Sequence, residues 1–210
     1  MPKAVSEETE RLKRVWEKEA PNYDRRMSFF ERVLFEDGRE WVCSRASDEV
    51  LEVAVGTGRN FTFYPQGVRL TGIDLSPAML EIARKRAEKL GLDADLKEGD
   101  AQQLPFPDAA FDSVVCTLSL CNIPDDRMAI TEMKRVLRPG GRLLFLDHVR
   151  SSSKAWLAAQ RMLEPLFWRF SCDHLLRRPL EHVLAEGFKV EQRERYKAGI
   201  VERLSARRPG

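Results

Sequence analysis

Three acids stand where a ligand could use them. Glu52 lies inside the apolar run Val50-Leu51-Glu52-Val53, Asp74 closes Leu70-Thr71-Gly72-Ile73-Asp74, and Asp100 closes the stretch 94–100. Between the first two runs comes Ala54-Val55-Gly56-Thr57-Gly58-Arg59-Asn60. Glycine has no Cβ, so a ligand can lie against bare backbone there. An acid at the carboxyl end of the next strand can accept hydrogen bonds from two ribose hydroxyls. A nucleoside-containing ligand is implied. Asp100 extends the reading, because its carboxylate suits an adenine amino group while the Ala101 N–H suits a ring nitrogen. A dinucleotide fits poorly, since counting from Gly56 puts Phe61 where the third small residue belongs. No Gly-Lys-Ser/Thr follows the turn, which excludes a nucleoside-triphosphate loop of that type.

The elements that must position these residues follow from apolar pattern and punctuation. Unalternating runs at 50–55, 70–74, 111–116 and 141–147 read as strands covered on both faces. The stretch 94–101 reads as a further strand. The first two strands flank the glycine turn and a short helix. Ser76-Pro77 opens a helix to Leu90 that Gly91 stops, and Pro124 opens another to Leu137 that Arg138-Pro139-Gly140-Gly141 ends. Helices over 156–170 and 179–186 precede two strands, 188–196 and 200–206, that form a terminal hairpin. Alternating strands and helices predict a doubly wound, mostly parallel α/β sheet. Ligands of such sheets sit outside the carboxyl ends of the strands, where Gly56, Asp74, Asp100, Ser119 and His148 converge. His148, placed just past a central strand, is the acceptor-side candidate, because imidazole can titrate near neutrality.

Ahead of the glycine turn, residues 7–20 carry Leu12, Val15 and Trp16 at helical spacing, and Ala20-Pro21-Asn22-Tyr23-Asp24 breaks the pattern. A second helix is expected over 27–43. Residues 1–45 are thus a helical lid or substrate entrance before a unit spanning 46–210, all within one domain. The 210 residues are 43% hydrophobic, as in a globular protein, and no run suits a membrane span. Met1-Pro2-Lys3 leads into polar residues, so a cytoplasmic location is expected. Cys43, Cys116, Cys121 and Cys172 lack zinc-ligand spacing and are expected reduced and buried, with no metal. Residues 150–210 carry 13 Lys and Arg against 7 Asp and Glu, which would suit an anionic surface. Contact with an anionic membrane would lean on that basic third with Phe29, Phe30 and Phe35. No nucleic-acid motif accompanies the charge. The oligomeric state stays open.

Taken with Asp74, Asp100-Ala101, Phe111-Asp112-x-Val114-Val115 and Val136-Leu137-Arg138-Pro139-Gly140-Gly141, the element Glu52-x-Ala54-x-Gly56-x-Gly58 resembles class I S-adenosylmethionine-dependent methyltransferases of the ubiquinone/menaquinone type. The resemblance implies a Rossmann-like seven-stranded sheet and S-adenosylmethionine as cofactor, with S-adenosylhomocysteine as product. Ala54 stands at the family's usual first glycine, which expects a backbone there away from positive φ. The resemblance implies that Glu52, Ala54, Gly56, Thr57, Gly58, Asn60 and Leu75 bind the cofactor, with Gly56 and Gly58 admitting its methionine portion. Asp74 takes the ribose, Met79, Asp100, Ala101 and Leu104 surround adenine, Ser119 and Leu120 lie under the sulfonium, and Tyr23 closes over it. Asn60-Phe61-x-Phe63-Tyr64-Pro65 and Asp147-His148-Val149 are similar to membrane thiol S-methyltransferases. Ala20-Pro21-x-Tyr23-Asp24 is similar to bacterial phosphatidylethanolamine N-methyltransferases. A lipophilic acceptor is implied, phosphatidylethanolamine first, with a small thiol, a quinone, or a catalytically silent cofactor-binding module as alternatives.

Overall fold

A computed structural model describes residues 6–210; the reading of Met1-Pro2-Lys3 lies outside them. Seven strands form one sheet: β1 (Glu49–Val53), β2 (Arg69–Asp74), β3 (Ala94–Glu98), β4 (Phe111–Thr117), β5 (Leu137–His148), β6 (Lys189–Tyr196) and β7 (Val201–Arg207). Their order is β3-β2-β1-β4-β5-β7-β6, with β1 to β5 parallel and β7 antiparallel to both of its neighbours. This is the expected Rossmann-like sheet with its terminal hairpin.

The lack of alternation in the strand sequences has its cause in the two cores. Val114, Cys116, Leu143 and Phe145 pack with Ala129, Ile130 and Met133 of α4 (Asp126–Val136) and Val183 of α6 (Pro179–Ala185). The intervening Val115, Leu144 and Leu146 pack on the other face with Trp41 and Val42 of α2 (Gly38–Cys43) and Leu80 and Ala83 of α3 (Pro77–Leu90). Both faces are dry, so neighbouring positions must both be apolar. Helix α3 is capped as expected: Ser76 Oγ accepts from the Met79 N–H at 3.3 Å, and Gly91 takes φ +62 at the other end.

The N-terminal segment departs from expectation. Helix α1 runs unbroken from Glu7 to Phe30 with Pro21 inside it, where the sequence suggests a break. An interior proline forfeits a backbone hydrogen bond and costs about 3 kcal/mol. Contacts on both sides of Pro21 hold the two halves in line: Leu12 is buried before it, and Asp24 is bonded to Thr57 and Arg86 after it. The expected helix over 27–43 is instead a π-helical turn (Glu31–Phe35), a kink at Glu36 with φ +47, and the short α2. Gly38 lets α2 approach the sheet, since a Cβ there would lie 2.9 Å from Leu146 and from the Tyr196 hydroxyl. Phe35 is buried, so it offers nothing to a membrane, whereas Phe29 and Phe30 are exposed. β5 already begins at Leu137, so Arg138-Pro139-Gly140-Gly141 belongs to the strand, with Gly140 at φ +79, and absorbs a register shift against β4. His148 is the last residue of that strand rather than beyond it.

The glycine turn also corrects two readings. No α-helix follows it, only a 3-10 turn over Phe61–Phe63, because Pro65 holds Tyr64 extended at φ −73, ψ 143. Ala54 does adopt positive φ, +55, as do Gly56 and Gly58. The alanine methyl is therefore carried in a left-handed backbone, which costs an L residue about 1–2 kcal/mol. Gly58 is needed for a second reason: a Cβ there would fall 2.4–2.8 Å from the Phe61 ring. Opposite outcomes are expected in thermal unfolding. Ala54→Gly should raise Tm by about 1–3 °C, and Gly58→Ala should lower stability by about 2 kcal/mol or more.

Candidate active site

The carboxyl ends of β1 to β4 open into a cleft enclosing about 660 Å³ of space, including its open mouth. Its floor is Ala54 and Gly56 after β1, Asp74 and Leu75 after β2, Gly99 to Gln102 after β3, and Leu118 and Ser119 after β4. Met79 of α3 closes one side. The cover is α1, which contributes Thr9, Leu12, Trp16 and Tyr23, the last two in edge-to-face contact at 5.8 Å.

Asp74 is the most distinctive group in the cleft. It is only 9% exposed, and its oxygens accept from the N–H groups of Gly56 at 2.7 Å and Ser76 at 2.9 Å. No cation pairs with it among the described residues. Burial pushes its pKa up to about 6, against the pull of those backbone donors. Each carboxylate oxygen accepts two bonds, so Asp74 retains acceptor capacity for a ribose hydroxyl. Asp100, at the next strand end, accepts from the Gln102 backbone N–H at 2.8 Å and from its side-chain amide at 3.0 Å. That amide also donates to Thr9 of α1 at 3.2 Å.

Behind the cleft lies a buried polar network that ties α1 to the glycine turn. Thr57 donates to Asp24 at 2.7 Å, and Arg86 pairs with the same carboxylate. Glu31 accepts from Arg39 at 2.6 Å and from Arg59 at 2.9 Å. Arg39 donates onward to Asn60 at 2.8 Å and Thr117 at 2.9 Å, and Asn60 donates to Glu52 at 2.9 Å. Burial opposes ionisation of Asp24 and Glu31. The Thr57 hydroxyl with Arg86 and Arg59 prevails at Asp24, and Arg59 with Arg39 prevails at Glu31, so both stay below their usual pKa. Glu52 has no guanidinium in hydrogen-bond contact, and burial raises its pKa to about 7 although Tyr64 donates to it at 2.8 Å.

Of the residues expected around the cofactor, Tyr23, Ala54, Gly56, Asp74, Leu75, Met79, Asp100, Ala101 and Ser119 line the cleft. Glu52, Thr57, Gly58, Asn60, Leu104 and Leu120 do not, and neither does His148, expected on the acceptor side. Glu52 and Asn60 stiffen the turn from beneath, Thr57 holds α1, and Leu104 and Leu120 are core. Sequence pattern did not reveal Thr9, Leu12, Trp16, Gln102, Leu118 or Asn122 as lining. Only the helical spacing of Leu12 and Trp16 hinted that they share a face.

His148 belongs to a polar cluster one layer behind the cleft. Cys121, His148 and Asp173 bring one sulfur, one nitrogen and one oxygen within 4.8 Å of one another, a spacing a small metal ion would accept. Burial and the nearby Asp147 carboxylate push the Cys121 thiol well up, which disfavours the thiolate a metal requires. The cluster reaches the cleft through Asn122, which lines it and donates to Asp173 at 3.4 Å. All four cysteines are free and buried, as expected.

The comparisons with known proteins agree with this geometry. Residues 51–145 match the family described as a methyltransferase domain. The chain is 38% identical over 116 residues to phosphatidylethanolamine N-methyltransferase of Cereibacter sphaeroides, a stretch covering 54% of this chain and 57% of that enzyme. It is 32% identical over 186 residues to human thiol S-methyltransferase TMT1A, covering 87% of this chain and 70% of that protein. It is 33% identical over 175 residues to demethylmenaquinone methyltransferase of Listeria welshimeri, covering 77% and 74%. The fold superposes on geranyl diphosphate C-methyltransferase of Streptomyces coelicolor with TM-score 0.74 at 16% identity, over 98% of this chain and 100% of that one. The chain belongs to the class I S-adenosylmethionine-dependent methyltransferases.

Proposed function

We propose that this enzyme methylates a lipophilic acceptor, with the amine of phosphatidylethanolamine as the leading candidate. The observation that carries the reading is the lining of the cleft, where Leu12, Trp16, Tyr23, Ile123 and Pro124 supply apolar groups beside the polar Ser119 and Asn122. S-Adenosylmethionine, when bound, supplies an electrophilic methyl group on a sulfonium. Asp74 suits its ribose as a buried acid with spare acceptor capacity and no cation. Gly56 suits the methionine portion, because nothing lies within 4 Å of where its Cβ would be. Asp100, Ala101 and Met79 suit the adenine. Helix α1 acts as the lid, with Trp16 and Tyr23 excluding water. Dry, aligned reactants need little further help, since positioning alone can supply about 7–11 kcal/mol.

His148 is assigned to the acceptor side, with Asp173 beside it and Asn122 between them and the cleft. An amine must lose its proton before attack, and the imidazole and carboxylate of this cluster are groups that can accept one. A second, shallower depression shares Pro124 with the cleft and is lined by Glu8, Glu164, His174 and Arg177. Groups of both signs suit a zwitterionic headgroup. A thiol acceptor is the second reading, favoured by the match to the human thiol S-methyltransferase, which spans more of this chain than the phospholipid enzyme does.

Four outcomes are expected. Ribose hydroxyls bond best to ionised Asp74, so affinity for S-adenosylhomocysteine should be constant above about pH 7 and fall as pH drops through about 6. Calorimetry of Asp74→Asn should show affinity weakened about tenfold or more, with that pH dependence gone. Asp24→Asn should loosen α1 and speed S-adenosylhomocysteine release several-fold in stopped flow, while an unchanged rate would remove the lid role. With methyl-labelled cofactor and total lipid extract, label should enter an ethanolamine phospholipid. Label only on thiol or naphthoquinone acceptors would move the acceptor assignment, and none at all would favour a silent module.

A further inference from the structure

Helix α5 (Lys154–Ser171) is built inside out. Its one buried residue is Gln160, whose side chain accepts from the Ser151 N–H at 2.7 Å and donates to the Val149 carbonyl at 2.9 Å and the Leu175 carbonyl at 3.1 Å. One turn on, Glu164 accepts from the Leu175 N–H at 2.6 Å and lies 3.4 Å from His174 Nδ1. The polar residues at i and i+4 therefore face the protein. Met162, Leu166 and Phe170 form an i, i+4, i+8 stripe on the outer side, with Trp156, Leu163 and Phe167 beside it. Met162 is 81% exposed, Phe170 69% and Trp156 55%. Isolated exposed apolar residues are ordinary, but a contiguous face of this kind marks a contact surface.

Charge identifies what covers it. Lys154, Arg161 and Arg169 are exposed, and none pairs with a carboxylate among the described residues, while the helix's only acid, Glu164, is turned inward. The outer side thus offers aromatic and aliphatic groups flanked by three cations and no anion. Two copies meeting through this face would bring like charges together, since a twofold contact pairs a patch with itself. A bilayer with anionic headgroups is complementary in both respects: acyl chains take the apolar stripe and phosphates take the cations. No helix among the described residues is long and apolar enough to cross a membrane, so α5 would lie along the surface.

We propose that α5 is an interfacial anchor that seats this face of the enzyme on an anionic bilayer, whichever acceptor is methylated. The anchor adjoins the cleft. Arg11 of α1 stacks over Trp168 at 4.4 Å and donates to the carbonyl oxygens of Trp168 at 3.0 Å and Arg169 at 2.8 Å. The end of α5 therefore holds the start of the helix that covers the cleft, so a docked α5 brings the bilayer beside the lid.

The test is cosedimentation of the full chain with vesicles of phosphatidylcholine alone and with added phosphatidylglycerol, together with tryptophan quenching by lipids brominated on the acyl chains. Binding to the phosphatidylglycerol vesicles at low salt, falling as salt is added, is expected, with quenching that drops in Trp156→Phe. Combining Trp156→Ser, Phe167→Ser and Phe170→Ser should weaken partition about tenfold or more, while calorimetric affinity for S-adenosylhomocysteine stays unchanged. Failure to pellet at low salt would overturn the proposal, as would pelleting unaffected by the triple variant. A dimer in light scattering that the triple variant dissolves would assign the face to a second copy instead. None of these results depends on turnover, so a failed acceptor assay and a failed anchor are distinguishable. Should the triple variant misfold, quenching of the intact protein against Trp156→Phe decides the matter alone.

Discussion

Glu31 is shared by two guanidinium groups, and the placement of the cleft cover depends on that sharing. Arg39 comes from the helix packed on the sheet, Arg59 from the glycine turn, and Glu31 from the turn that ends α1. A single carboxylate thus joins the sheet face, the ligand loop and the lid. Buried ion pairs contribute little net stability, because desolvating the partners offsets most of the attraction. Their effect is geometric. Removing Glu31 would leave two neighbouring cations half out of water, so few other arrangements of α1 compete with this one. The wall of the cleft stands where these three charges meet.

The sheet and the ligand end of it were legible in the sequence because they rest on local signals. Strand residues buried on both faces give unbroken apolar runs, and an acid after such a run lands at the sheet's carboxyl edge. Asp74 could be placed from those rules alone, whereas Asp100 follows the mostly polar edge strand Ala94–Glu98 and is placed by its position after that strand. The lid could not. Pro21 is a strong local signal for a break, but Thr57 and Arg86 hold Asp24 from more than thirty residues away. Local pattern carries no trace of such partners. Glu52 shows the opposite failure: the motif marks it as important without saying that its task is to brace Asn60 and Tyr64 from below.

Ala54 and α5 mark a further limit. A sequence shows that a methyl replaces a hydrogen, but not the sign of φ beneath it. Likewise, the spacing of Met162, Leu166 and Phe170 reveals a stripe without revealing which side the protein occupies. Pattern assigns such a stripe to the core by default. Here the three hydrogen bonds of Gln160 and the contact of Glu164 with Leu175 turn the helix the other way. Polar bonds to backbone groups of a loop outrank apolar burial when that loop is already fixed.

The unbroken length of α1 has mechanical meaning. Its 24 residues span about 36 Å at about 1.5 Å per residue, with the Glu31 junction at one end and the contacts to α5 at the other. Pro21 leaves the helix unbroken, so a displacement at one end is carried along its length. A rotation of about 10° at the π-helical turn would carry the far end through about 6 Å, by the lever arm of that length. Thr9 and Leu12, near the far end, would swing out furthest, while Tyr23, close to the pivot, would shift by only about 2 Å. Exchange of the nucleoside and entry of the acceptor would be governed by one gate, and the two molecules would come and go in a coupled sequence.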